Sequence, residues 1–186
     1  MLRIIAGSAR GRRVDAPKGQ FTRPTLDRVK ESLFNILQTH IAGARVLDLY
    51  AGSGNLGLEA LSRGADFALF NDHERICVAL IKKNLKTLGF ENRARVMGLD
   101  ALRAVESLVC ELPFDIVFVD PPYKESALSA LSALFENGLV AKGGRVVIEH
   151  AWALPPDPAP AEAYCTGRRK FGDTGLSFFI HESERV

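Results

Sequence analysis

From Ala44 onward the hydrophobic residues switch repeatedly between two rhythms. Short β-rich runs predict strands at Arg45–Tyr50 (RVLDLY), Phe67–Asn71 (FALFN), Arg95–Met97, Phe114–Val119 (FDIVFV) and Gly144–Glu149 (GRVVIE). Between them lie segments with helical spacing: LGLEALSRG after a glycine loop, Glu74–Leu88 stopped by Gly89, Ala101–Cys110 and Ser126–Glu136. Strands alternating with helices in this way predict a doubly wound, mostly parallel α/β sheet. Two later β-rich runs, around Tyr164–Arg168 and Leu176–His181, predict an antiparallel hairpin finishing that sheet. The proline tract Leu154–Pro160 (LPPDPAP) suits neither a helix nor a central strand. Ahead of this body (44–186), residues 1–43 read as a separate arm. It has a Gly/Arg-rich start and a predicted helix over Asp27–Thr39, with Thr25 as its N-cap.

Composition narrows the class without changing the picture. A chain of 186 residues with 47% hydrophobic and 25% charged positions is one ordinary globular domain. No apolar run approaches the ~18 residues of a membrane span, and MLRIIAGSARGRRV lacks the apolar core of a signal peptide. The three cysteines are odd in number, widely spaced and without a CxxC pair. That argues against a disulfide framework or a zinc site built on cysteine pairs, and for a reducing cytoplasm. The four histidines show no metal spacing, so no metal is expected. Charge adds something new. Residues 1–45 hold nine Lys/Arg against three Asp/Glu, whereas the remainder is net acidic. An arm of this kind suits a polyanion, or is merely solvated surface.

Gly52, Gly54 and Gly57 spell GxGxxG between a strand and a helix, a pattern shared by sites for nicotinamide dinucleotides, flavins and S-adenosylmethionine. Asp48 sharpens it, because a carboxylate inside the first strand suits a ligand carrying an ammonium group. Asp72, at the end of the second strand, can accept from both ribose hydroxyls, although the nearby Glu74 competes for that role. Asp100 closes the third strand, where it either meets an adenine amine or simply caps the next helix. Acids ending three successive strands share the carboxyl edge of the sheet, where open α/β folds bind ligands. Together they favour S-adenosylmethionine.

The tetrapeptide Asp120-Pro121-Pro122-Tyr123 follows the fourth strand directly. Two prolines fix the backbone and remove two N–H donors, leaving carbonyls and a carboxylate as a rigid set of acceptors. Such a set orients an exocyclic amine whose lone pair is otherwise tied up in a heteroaromatic ring. Tyr123 offers a flat face on which the base stacks. This motif is that of class I methyltransferases acting on exocyclic amines of nucleobases. The chain as a whole resembles the bacterial 16S rRNA guanine-N2 methyltransferases of the small ribosomal subunit. The match is carried by RIIAGSARGRRV, RPTLDRVKESLFNIL, LDLYAGSGNLGLEALSRGA, VFVDPPY and FGDTGLSFF. Two departures stand out: Tyr50 where phenylalanine is usual, and Asp72 where glutamate is commoner.

The resemblance implies a seven-stranded Rossmann-like sheet and a catalytic set of Asp120, Pro121, Pro122 and Tyr123. It also implies a cofactor site at Asp48, Tyr50, Gly52, Gly54, Asp72, His73, Asp100 and Ala101, with Arg23 and Thr25 closing over it. Arg10, Arg12, Arg13, Arg28 and Lys30 are the candidates for phosphate contacts. The partner expected is 16S rRNA in an assembled or assembling small subunit, met by a monomer away from any membrane. A DNA adenine-N6 methyltransferase would use the same tetrapeptide but needs a target-recognition region that this chain has no room for. A nicotinamide dehydrogenase would leave Asp48 and the DPPY run unexplained, and a non-catalytic RNA-binding subunit would not need the run at all.

Overall fold

The computed structural model describes residues 2–17, 24–122, 127–157 and 159–182. Seven strands form one sheet: β3 (Arg45–Asp48), β4 (Phe67–Asn71), β5 (Ala94–Met97), β6 (Phe114–Val119), β7 (Val140–Ala151), β8 (Ala163–Phe171) and β9 (Thr174–His181). Their order is β5-β4-β3-β6-β7-β9-β8. The first five are parallel to their neighbours, and β9 runs antiparallel to both β7 and β8. This is the doubly wound sheet with a terminal hairpin that the alternating pattern predicts. The chain moves outward from β3 to β5, then returns to start β6 on the other side of β3. That reversal opens a crevice at the carboxyl ends of β3 and β6.

Helices cover both faces, which is why the central strands read as continuous apolar runs instead of alternating ones. One core cluster joins Val46, Phe70, Phe118 and Val147 to Leu33 and Phe34 of α1 (Pro24–Ile36), to Leu58 and Leu61 of α3 (Asn55–Ser62), and to Ile81 and Leu85 of α4 (Arg75–Leu88). The other joins Leu47, Leu69, Val117 and Ile148 to α5 (Ala101–Ser107) and α6 (Ala127–Glu136). Following α1 is a short α2 (Gln38–Ile41), separated from it at Leu37. The arm helix therefore differs from the predicted Asp27–Thr39. It starts at Pro24, where a missing N–H and a preset φ cost nothing in the first turn, and Thr25 lies inside that turn instead of capping it. Its other end breaks before Gln38. At α4 the predicted stop holds: Gly89 takes φ +74°, and the Phe90 N–H reaches back to the Leu85 carbonyl at 3.0 Å. β7 outruns its predicted span at both ends, with an irregular register against β6 near Phe114–Ile116.

Residues 2–17 carry a small antiparallel hairpin of β1 (Leu2–Arg3) and β2 (Arg13–Val14), fastened to the body by buried polar groups. Glu59 on α3, fully buried, accepts from the backbone N–H groups of Ile5 and Ala6 at 2.8 and 3.0 Å. It also pairs with Lys30 at 3.2 Å and Arg63 at 2.8 Å. Gly7 is pressed so closely on the end of α3 that a Cβ would sit 1.8 Å from the Ser62 carbonyl oxygen. Asn84 of α4 then bonds both the N–H and the carbonyl of Asp15, and donates to the Ser53 carbonyl in the glycine loop. Among the described residues no helix is long and apolar enough to cross a membrane.

Candidate active site

The glycine loop follows β3 and turns into α3 with Gly54 at φ +80°, a conformation that side-chain-bearing residues rarely take. Gly57 faces the Phe70 ring so tightly that a Cβ would lie 2.3 Å from it. Its N–H donates to the Asp48 carboxylate at 2.9 Å. Gly52 is different: above it a Cβ would meet nothing within 4 Å, so the outer side of the loop is open space. Its N–H donates to Asp72 at 2.7 Å, while the other Asp72 oxygen accepts from the Glu74 N–H at 2.9 Å. Asp72 is thus braced against the loop. Glu74 stands out in solvent beside His73, their side chains 3.2 Å apart.

Asn71 is not among the candidates read from sequence, yet it ties three strand ends together. Its amide donates to the Leu49 and Leu99 carbonyls at 3.1 and 3.0 Å and accepts from the Leu99 N–H at 3.2 Å. Asp100 caps α5, accepting from Leu102 at 3.1 Å and, more weakly, from Arg103 at 3.5 Å, with Ala101 buried behind it. Of the two readings the sequence leaves open for Asp100, capping is the one seen. Tyr50 is half-buried against the second core cluster.

Asp120 ends β6 across the crevice from Asp48, with Pro121 and Pro122 leading out of the strand. Desolvation of the carboxyl raises it to about 6, although the residue as a whole is exposed. Asp48 lies deeper: burial, only partly offset by the Gly57 N–H, pushes it up to about 7, with Asp120 and Asp72 adding repulsion. Sequence reasoning missed a further acid. Glu149, near the end of β7, is raised to about 8 by burial and then by the Asp120 charge. Nothing in its own neighbourhood of sequence marks it; only the β6–β7 pairing brings it beside Asp120.

The expected phosphate contacts divide. Lys30 is a correction: it is 3% exposed, and its ammonium donates to the Arg3 carbonyl and Asn55 besides pairing with Glu59. Its charge is neutralised inside the protein, where an unpaired carboxylate would otherwise be buried. Arg12 stays exposed but is tied to the body. Its guanidinium donates to the Thr87 and Leu88 carbonyls at the far end of α4, about 20 Å along that helix from Asp72. Arg10 and Arg13 are exposed on the same hairpin. Arg28 instead lines an open groove of about 440 Å³ with Glu31, Ser32, Asn35 and Ile36 of α1 and Arg169 of β8. Arg23, Tyr123 and the Thr25 side chain lie outside the described residues. Among the described residues no cluster of three or more metal-ligating side chains occurs.

The family model described as conserved hypothetical protein 95 matches residues 2–180. Ribosomal RNA small subunit methyltransferase D of Escherichia coli is 42% identical over 161 residues, covering 85% of this chain and 80% of that protein. Its counterpart of the same name in Haemophilus influenzae is 39% identical over 150 residues, covering 80% and 78%. The chain belongs to the ribosomal RNA small subunit methyltransferase D family. The solved Escherichia coli yhhF chain superposes with a TM-score of 0.84 at 37% identity, over 97% of this chain and 98% of that one. The doubly wound sheet read from the strand–helix alternation, and the class I methyltransferase fold that the resemblance implies, are therefore the fold of the relatives. The glycine loop and the crevice between β3 and β6 stand on the carboxyl edge of that fold, where the acid pattern predicts a ligand.

Proposed function

We propose that this chain transfers the methyl group of S-adenosylmethionine to the exocyclic N2 of a guanine in 16S rRNA, within an assembled or assembling small subunit in the cytoplasm. The observation that carries the reading is Asp120, a carboxylate followed by two prolines and set at the switch point opposite a buried carboxylate. The residues present fit the cofactor. Asp48 is a desolvated acid without an ion-pair partner among the described residues, Asp72 presents a braced carboxylate, and the loop above Gly52 is open. Asp48 would face the ammonium, Asp72 the ribose, and the Asp100–Ala101 turn the adenine. Bound there, S-adenosylmethionine supplies a sulfonium methyl as the electrophile.

The protein's own contribution is position and charge. Asp120 accepts from the amine and turns its lone pair out of conjugation. It then stabilises the positive charge that develops on nitrogen. The target base must leave its stack to arrive there. Arg28 and Arg169, on two different elements facing one groove, supply phosphate contacts beside that entry, and Tyr123 stacks on the base.

The deciding experiment is transfer of labelled methyl to unmodified small subunits followed by nucleoside analysis, with N2-methylguanosine expected. N6-methyladenine formed on DNA instead would sink the assignment. Asp120→Ala abolishes turnover while S-adenosylmethionine affinity stays within about threefold. Because the Asp120 carboxyl is raised to about 6, kcat/KM climbs as pH rises through that value and levels off above it. A flat profile from about pH 5 to 8 would contradict the role given to its charged form.

A further inference from the structure

We propose that Glu149 reads the target base, its carboxylate accepting the N1–H of the guanine whose exocyclic amine Asp120 orients. The inference rests on the guanine reading above and adds the residue that selects guanine. Strands β6 and β7 are parallel, with Val119 opposite Ile148, so the next residues, Asp120 and Glu149, stand side by side at about 4.8 Å strand spacing. Alternation along each strand puts both on the face of Phe118 and Val147, the face of α1 and of the buried Asp48. Glu149 is half-buried, and its carboxylate makes no hydrogen bond or ion pair with any described residue. A desolvated acceptor without a donor is costly unless a ligand brings one.

Guanine brings three. Its Watson–Crick edge carries N1–H next to the two N2–H groups, a contiguous row of donors that two neighbouring carboxylates match. Adenine offers two N–H groups beside an N1 lone pair, which a carboxylate repels. Donors arriving at both acids also favour their charged forms, offsetting the repulsion between Asp120 and Glu149. The same geometry thereby rewards guanine and penalises adenine, as a site built to bond a particular edge does.

The test compares wild type with Glu149→Gln on small subunits carrying guanine or adenine at the target position. The readouts are kcat/KM for each base and calorimetric affinity for S-adenosylmethionine. Glutamine keeps the shape, so cofactor affinity holds within about twofold and reports an intact fold. On guanine, kcat/KM falls about 10–100-fold. The preference for guanine over adenine shrinks, since the carboxamide offers an N–H to adenine N1. Unchanged kcat/KM, or equal losses on both bases, overturns the proposal. Wild-type product separates the two failures. Absence of N2-methylguanosine overturns the guanine reading and this inference with it, whereas its presence with an indifferent Glu149→Gln overturns this inference alone.

Discussion

The chain carries two basic segments, the N-terminal arm and the hairpin of β8 and β9: the arm divides its cations between bonds to the body and open surface, whereas the hairpin keeps its outermost pair exposed. In the arm, Lys30 is buried on Glu59 and Arg12 closes the carbonyl end of α4. In the hairpin, Arg169 and Lys170 are exposed on the sheet's outermost strand, at the edge where the site lies. Arg169 pairs across β9 with Leu176, which pairs with Glu149, so a single row runs along that edge from Asp120 to Arg169. Three strand spacings make that row about 14 Å, close enough for a nucleotide or two beside the target to reach it. Net charge says how many cations a segment holds, and burial says whom they address.

The largest effect that sharpens the contrast belongs to the arm. Glu59→Ala leaves the buried Lys30 without its counter-charge and two half-buried backbone N–H groups without their acceptor, and unfolding free energy drops by about 3–5 kcal/mol. Urea titration measures it, and an unchanged midpoint would mean that the arm is not fastened as described. Next comes the groove that Arg28 of the arm shares with Arg169 of the hairpin. Arg28→Gln with Arg169→Gln weakens binding to single-stranded rRNA about tenfold or more and lowers the log–log salt slope by about 0.7 for each phosphate no longer neutralised, with stability untouched. Equal losses from Arg10→Gln with Arg13→Gln would erase the distinction between that groove and the rest of the arm's exposed surface. The smallest effect is that of Arg12→Ala, about 0.5–1 kcal/mol of stability with no change in RNA affinity. Thermal unfolding and a binding titration on the same variant check both halves of that expectation.

Much of the fold and part of the site are legible in the sequence because their signals are local. Strand–helix alternation, the Gly89 stop and the Asp120-Pro121-Pro122 run each lie within a few residues of the feature they specify. Asp48 is legible for the same reason, as a charge inside an otherwise apolar strand. Glu149, Asn71 and Glu59 are not. Glu149 gains its neighbour only through strand pairing, Asn71 through contacts to two other strand ends, and Glu59 through an arm more than fifty residues earlier. On a helical wheel Glu59 is one more polar position, and nothing local says that the arm will cover it. The misreading of Lys30 is the same error from the other side, since it reads in sequence as a cation facing solvent; Arg12 does face solvent, and only its bonds to the end of α4 are hidden from the sequence.

The reversal of strand order between β3 and β6 also has a consequence in time. Everything proposed to hold the cofactor, from Asp48 to Asp100, lies on three strands contiguous in sequence, and the arm that braces their loop precedes them. Asp120 and Glu149 come from the later half, across the reversal. As the chain leaves the ribosome, N-terminal part first, the segments of the donor shelf emerge together before the acceptor wall exists. The enzyme's two substrates thus meet along a seam between an early half and a late half of the chain.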